Sequence, residues 1–116
     1  MKIPEYFKDS ELECPCGCGM LPDKRAVERL YALRLIRGKA VSITSGARCP
    51  AYNKRIGGAD DSQHPKGKGF DSPVKREDEW EFVRIAQAVG FKGIGINNNK
   101  FIHVDDRDGK PEMWTY

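Results

Sequence analysis

The chain has 116 residues, 39% of them hydrophobic and 32% charged, with 20 lysines and arginines against 17 aspartates and glutamates for a net charge of +3. That length holds one domain with a modest core, and no apolar run approaches the roughly 18 residues of a membrane span, so neither a multidomain assembly nor an integral membrane protein is expected. The mild basicity suits an anionic surface and a nucleic acid equally; nothing besides charge points to nucleic acid, and none is expected as a partner.

Met1 to Glu5 leads into no apolar stretch of the kind a secretory leader needs. The expectation is a protein made in the cytoplasm without a signal peptide, reaching any outside target by release or by export through other means. Without repeats or low-complexity tails, residues 1–116 read as one domain, of which residues 1–20 form a cysteine-rich arm. The arm holds Cys14-Pro15-Cys16-Gly17-Cys18-Gly19, and Cys49 brings the cysteines to four. One-residue spacing is unlike the Cys-x2-Cys of common zinc sites, and a chain without a leader argues against stable disulfides. Three readings stay open. The cysteines are structural thiols, or one pair staples the arm to Cys49; Cys14, Cys16, Cys18 and Cys49 together hold a structural metal; or one is a catalytic nucleophile, which would need a free histidine to serve it.

Pro22 to Arg37 is expected as the first helix. Pro22 suits the first helical position, Asp23 complements the positive helix end, and Gly38 is a natural stop. Ala26, Val27, Leu30 and Leu33 recur at steps of three and four as an apolar stripe, with Arg25, Arg29, Arg34 and Arg37 largely off it as a solvated face. Ala40 to Thr44 alternates apolar and polar and is expected as a strand. Ser45 to Asp71 is rich in glycine, proline, asparagine and serine, so little of it should be a regular core element. A second helix, from about Arg76 to Val89, would bury Phe82, Val83, Ala86 and Val89, with Glu77, Asp78, Glu79 and Glu81 matching the dipole at its start. Gly93 to Ile96 reads as a strand, Asn97 to Asn99 as a turn, and Phe101 to Asp105 as a returning strand. Asp108-Gly109 signals a hairpin into Met113 to Tyr116. This order implies an α+β fold with helices packed on one side of an antiparallel sheet.

Chemistry concentrates in the loop-rich stretch and the late strand. The chain has two histidines, His64 and His103, and with Asp71 they suffice for a zinc site of three protein ligands and an open fourth position. The bland alternative is a surface histidine and a satisfied strand histidine. Arg48 is the candidate for substrate recognition, because a guanidinium holds a carboxylate through two parallel hydrogen bonds; the alternative is a structural arginine bonding loop carbonyls. Ser62 could orient a ligand or donate to substrate.

Ser62-Gln63-His64-Pro65-Lys66-Gly67-Lys68-Gly69-Phe70-Asp71 resembles the Ser-x-His-x-x-Gly-x-Ala-x-Asp signature of the zinc D-alanyl-D-alanine peptidase family, whose fold is shared by the hedgehog signalling domain. Ser45-Gly46-Ala47-Arg48, with Asn53 and Gly57-Gly58, resembles the segment before the signature in small phage-type members. Phe101-Ile102-His103-Val104-Asp105, followed by Arg107, resembles their segment with the third ligand, and those members carry a similar cysteine-glycine cluster before the first helix. The resemblance runs from about Glu11 to Trp114. It implies a hedgehog/DD-peptidase-like fold, Zn²⁺ bound by His64, Asp71 and His103, a substrate-contacting Arg48, and cleavage of bacterial wall peptides.

Two positions depart from the family pattern. Gly69 replaces the signature's alanine, and Lys100 stands where many relatives carry the acidic base, three residues before the third ligand. A protonated lysine is unsuited to that task. In a strand His103 and Asp105 share a face, so Asp105 is the candidate to accept a proton from water or to bond to a ligand. The expectation is a monomeric zinc peptidase acting on peptidoglycan stem or cross-bridge peptides, a phage or prophage lysin by setting. The alternative is a zinc-bearing binding module of the same fold without hydrolysis.

Overall fold

The computed structural model describes residues 6–116, so the expectation about Met1 to Glu5 and the first five residues of the arm lie outside the described residues. Among the described residues, four α-helices, α1 (Asp9–Leu12), α2 (Lys24–Arg37), α3 (Pro50–Arg55) and α4 (Glu79–Ala88), accompany four strands, β1 (Gly69–Pro73), β2 (Gly93–Asn97), β3 (Phe101–Asp105) and β4 (Glu112–Thr115). The fold is α+β, with the strands forming one sheet in the order β1-β3-β2-β4.

Helix α2 begins two residues later than Pro22, because the Asp23 carboxylate caps it by accepting from Ala26 N at 3.1 Å. Gly38, with φ of 73°, ends it. Ala26, Leu30 and Leu33 are fully buried, and the arginines beside them are more than a solvated face. Arg25 and Arg29 both pair with the buried Asp106, while Arg34 and Arg37 lie over the rings of Tyr6 and Phe82. The second helix is shorter than expected: a 3-10 turn, Arg76–Asp78, precedes α4.

Two strand expectations fail for reasons of hydrogen bonding. Ala40 to Thr44 is not a strand, although Val41 and Ile43 do point inward and are buried. The segment meets the sheet only beside Asp71, whose carbonyl accepts from Thr44 N and whose N–H donates to the Ser45 carbonyl. The next donor on that edge of β1 would be Pro73, which has no N–H, so the ladder cannot extend. The chain after Asp108-Gly109 likewise does not form a hairpin with β3, because β3 is flanked by β1 and β2 and has no free edge. The reversal sends β4 to the open edge of β2. Since β2 and β3 are antiparallel, a strand running back from β3 lies parallel to β2. The sheet is therefore mixed rather than wholly antiparallel.

Period-two alternation divides the sheet into two faces. Phe70, Ile94, Ile102 and Val104 join Leu30 and Leu33 of α2 and Phe82, Ile85 and Ala86 of α4 in the core. Each of the larger of these side chains, Ala86 excepted, contributes about 1.5–3 kcal/mol on burial. The opposite face carries Asp71, His103, Asp105 and Trp114. The core layer thus acts as a rigid backing for the polar face.

Candidate metal centre

His64 opens a 3-10 turn, His64–Lys66, inside the glycine-rich stretch. Ser62 Oγ accepts from His64 N at 3.2 Å, and the His64 carbonyl accepts from Arg48 N and from Gly67 N. Gly67 closes the turn at φ of 72°, and its carbonyl accepts from Asp23 N, which ties the turn to the start of α2. Asp71 and His103 face each other as cross-strand partners on β1 and β3. One ligand-type atom from each of His64, Asp71 and His103 lies within 4.8 Å of the others.

The hydrogen bonds behind these rings determine which nitrogens face inward. His64 Nδ1 lies 2.6 Å from the Gly46 carbonyl, which can only accept, so Nδ1 carries the proton and donates. His103 Nε2 lies 2.7 Å from Asp105 Oδ2 and donates there. In their neutral forms the remaining nitrogens, His64 Nε2 and His103 Nδ1, present lone pairs to Asp71 Oδ2 and Oδ1 at 3.4 and 2.9 Å. Acceptors facing acceptors on a mostly buried face call for a cation between them. Two neutral imidazoles and a carboxylate are the donors of a zinc site with an open fourth position, so the residues present fit that metal.

Electrostatics follow the same geometry. Burial disfavours the Asp71 carboxylate, yet without a metal the His103 and His64 rings, where protonated on the nitrogens that face it, hold it well below the usual range. Burial favours neutral His103, but Asp105 and Asp71 outweigh it and raise the ring's proton affinity above the ordinary value. Burial opposes ionisation of Asp105 as well, and Arg107 and His103 bring it down to about 2.

Asp105 is fully buried, and four donors fill its lone pairs. Oδ1 accepts from Arg107 N and Nε, and Oδ2 from Arg107 Nη2 and His103 Nε2. A carboxylate so occupied has no lone pair left for a water proton in this arrangement, which weighs against the general-base expectation. Its position fits the other half of that expectation, a bond to a ligand.

Arg48 is likewise tied, through Nε to Ser45 Oγ, Nη1 to Asn53 Oδ1 and Nη2 to Asp71 Oδ2. Each terminal nitrogen still has a second N–H, and the side chain lines a cleft of about 440 Å³ above the three ligands. The cleft wall includes Phe101, Trp114 and Tyr116, and besides Asp71 two carboxylates, Asp61 and Glu112, reach it. None of these five was foreseen as a site residue. Those on β4 were hidden by the hairpin expectation. A signal for the wall did exist in Gly93-x-Gly95, since glycine in a strand marks close approach. A Cβ on Gly93 would lie 2.2 Å from the Asp105 carboxylate, and one on Gly95 2.5 Å from the Trp114 indole nitrogen. Bare β2 lets both side chains lean across it toward His103, whose ring lies 5.5 Å from that of Trp114.

An α+β sheet that carries a mostly buried His/Asp/His donor set under an open cleft is suited to hold a metal with a position open to substrate. A family model described as Peptidase M15 matches residues 5–105. The chain belongs to that family of zinc D-alanyl-D-alanine carboxypeptidase-like enzymes. Comparison with curated proteins gave no match. Among the described residues no helix is long and apolar enough to cross a membrane.

Proposed function

We propose that the protein is a zinc peptidase that hydrolyses stem or cross-bridge peptides of bacterial peptidoglycan, acting on the wall after release from the cytoplasm, as a phage or prophage lysin would. The observation that carries this reading is the pair of imidazoles whose outer nitrogens are fixed by Gly46 and Asp105 and whose free lone pairs meet at Asp71 beneath the cleft. His64, Asp71 and His103 would hold the metal. When bound, zinc supplies Lewis acidity, polarising a carbonyl and making water nucleophilic near neutral pH.

The rest falls to the chain's own groups. The two spare N–H groups of Arg48 suit a stem-peptide carboxylate, Ser62 holds the His64 backbone, and Phe101, Trp114 and Tyr116 form an apolar wall for the substrate. Glu112 takes the place of Asp105 as the proton acceptor. It reaches the cleft from β4, and Arg107, which also grips Asp105, holds its carboxylate. Mass spectrometry of purified peptidoglycan after incubation, with and without chelator, tests the reading. New peptide termini that depend on metal support it and name the bond; their absence under several metals sinks it.

Two observations favour the second reading, a zinc-bearing binding module without hydrolysis. Lys100 occupies the position of the usual acid, and Asp105 has no free acceptor. Wall-peptide binding without turnover would establish that reading.

A further inference from the structure

We propose that Cys14, Cys16, Cys18 and Cys49 form a second, structural zinc site that clamps the N-terminal arm to the loop behind the first centre. All four are free thiols, and their sulfurs lie within 4.8 Å of one another. Cys16 Sγ is 3.4 Å from Cys14 Sγ and 3.6 Å from Cys49 Sγ. Four sulfurs at about 2.3 Å from zinc stand about 3.8 Å apart at tetrahedral corners, close to these separations. A disulfide would join two of them and leave two thiols crowded against it without a role. A tetrathiolate metal uses all four.

The backbone is arranged for sulfur that carries charge. Cys49 N points at Cys14 Sγ from 3.3 Å, and Tyr52 N at Cys49 Sγ from 3.4 Å. The one-residue spacing, unlike that of common zinc sites, is made workable by Gly17 and Gly19 at φ of 83° and 85°, where any side chain would be strained. Cys14 is buried while Cys16 and Cys18 are exposed, so metal can arrive from solvent. Binding turns each thiol into a thiolate and releases its proton to water; no electron moves and no oxidant is needed.

The site would serve the cleft through the chain between Gly46 and Cys49. Leu12 O accepts from Ala47 N at 2.8 Å, and Gly46 packs so closely that a Cβ there would lie 2.6 Å from Leu12 O. The Gly46 carbonyl orients His64, and Arg48 immediately precedes Cys49. Cross-linking residues 33 apart in sequence closes a long loop, which adds stability through the unfolded chain.

Cobalt(II) is the probe, because thiolate ligands give it strong near-ultraviolet charge-transfer absorption that imidazole and carboxylate do not. The reduced full chain, loaded with Co²⁺, should bind two equivalents and show that absorption. Cys18→Ser, at an exposed position, and Cys16→Ser should each weaken or abolish it and lose one equivalent, whereas His64→Ala should lose the other equivalent and keep the absorption. Retention in His64→Ala separates this site from the first centre and shows that the chain still folds. A single equivalent without thiolate absorption in the full chain overturns the proposal, as does full metal content in the Cys16→Ser/Cys18→Ser double variant.

Discussion

His103 Nε2 donates to Asp105 Oδ2 across 2.7 Å, and this bond turns the other nitrogen of the same ring toward Asp71. The aspartate therefore supports the candidate metal centre from behind, by fixing a tautomer and a ring orientation. Replacing it with a neutral amide of the same shape removes the charge and leaves the packing. Asp105→Asn should weaken zinc affinity by roughly 10–100-fold, the usual scale for such supporting partners. At saturating zinc, hydrolysis should recover most of its rate. Competition against a calibrated chelator reads the affinity; an unchanged affinity with a large loss of rate at full occupancy would return Asp105 to the role of base.

Glu112 should show the opposite split. Glu112→Gln is expected to leave zinc content intact and lower turnover by roughly 10²–10⁴-fold, the range for loss of a general acid or base. Zinc occupancy and rate of wall-peptide release, measured on one preparation, decide the matter. An unaffected rate would move the role to Asp61, the other cleft carboxylate.

The strand arrangement behind these two residues explains what was legible in the sequence. His64, Asp71 and His103 stood out as ligand-type residues, and the resemblance of their segments to the peptidase signature joined them into one site, while α2 and α4 followed from their apolar spacing. Glu112 and Trp114 did not, because their place depends on β3 being flanked on both edges, a fact of the whole sheet. The lost strand at Ala40 to Thr44 turns on Pro73, some thirty residues away, which withholds the donor. Helix α3 was missed because its capping atom is the sulfur of Cys49, an uncommon cap, though Pro50 after it is a usual helix start. The filled lone pairs of Asp105 depend on how Arg107 folds back, which no period reveals.

Gly93→Ala tests the bare surface of β2. The added methyl would meet a carboxylate that four donors hold in place, so the neighbour cannot yield cheaply. Destabilisation of about 1–3 kcal/mol is expected, as for overpacked sites, together with weakened zinc binding. Denaturant melts of the metal-free and zinc-loaded variant measure both; a wild-type midpoint in each would contradict the close approach.

Protonation of His103 competes with the metal. In the metal-free protein its raised pKa contributes stability that is fully present below the ordinary value of 6.5 and lost as pH rises through the raised folded value. The depressed Asp71 and Asp105 contribute stability present above 3.8 and lost as pH falls through their folded values. This cluster therefore supports the metal-free protein best between about pH 4 and 6.5. Zinc needs the His103 nitrogen without its proton, so the gap between zinc-loaded and metal-free melting temperatures should widen as pH rises toward neutrality and above. A gap that narrows over that interval would be inconsistent with His103 as a ligand.

The claim on which the rest depends is that His64 and His103 offer opposite nitrogens to one metal. Anomalous diffraction at the zinc edge from crystals of the zinc-loaded protein measures this directly. The account predicts a peak at about 2.0–2.2 Å from His64 Nε2, His103 Nδ1 and an Asp71 oxygen, with Gly46 O and Asp105 still bonded to the outer nitrogens. No peak between these three residues, or one bound through His64 Nδ1 or His103 Nε2, would contradict it.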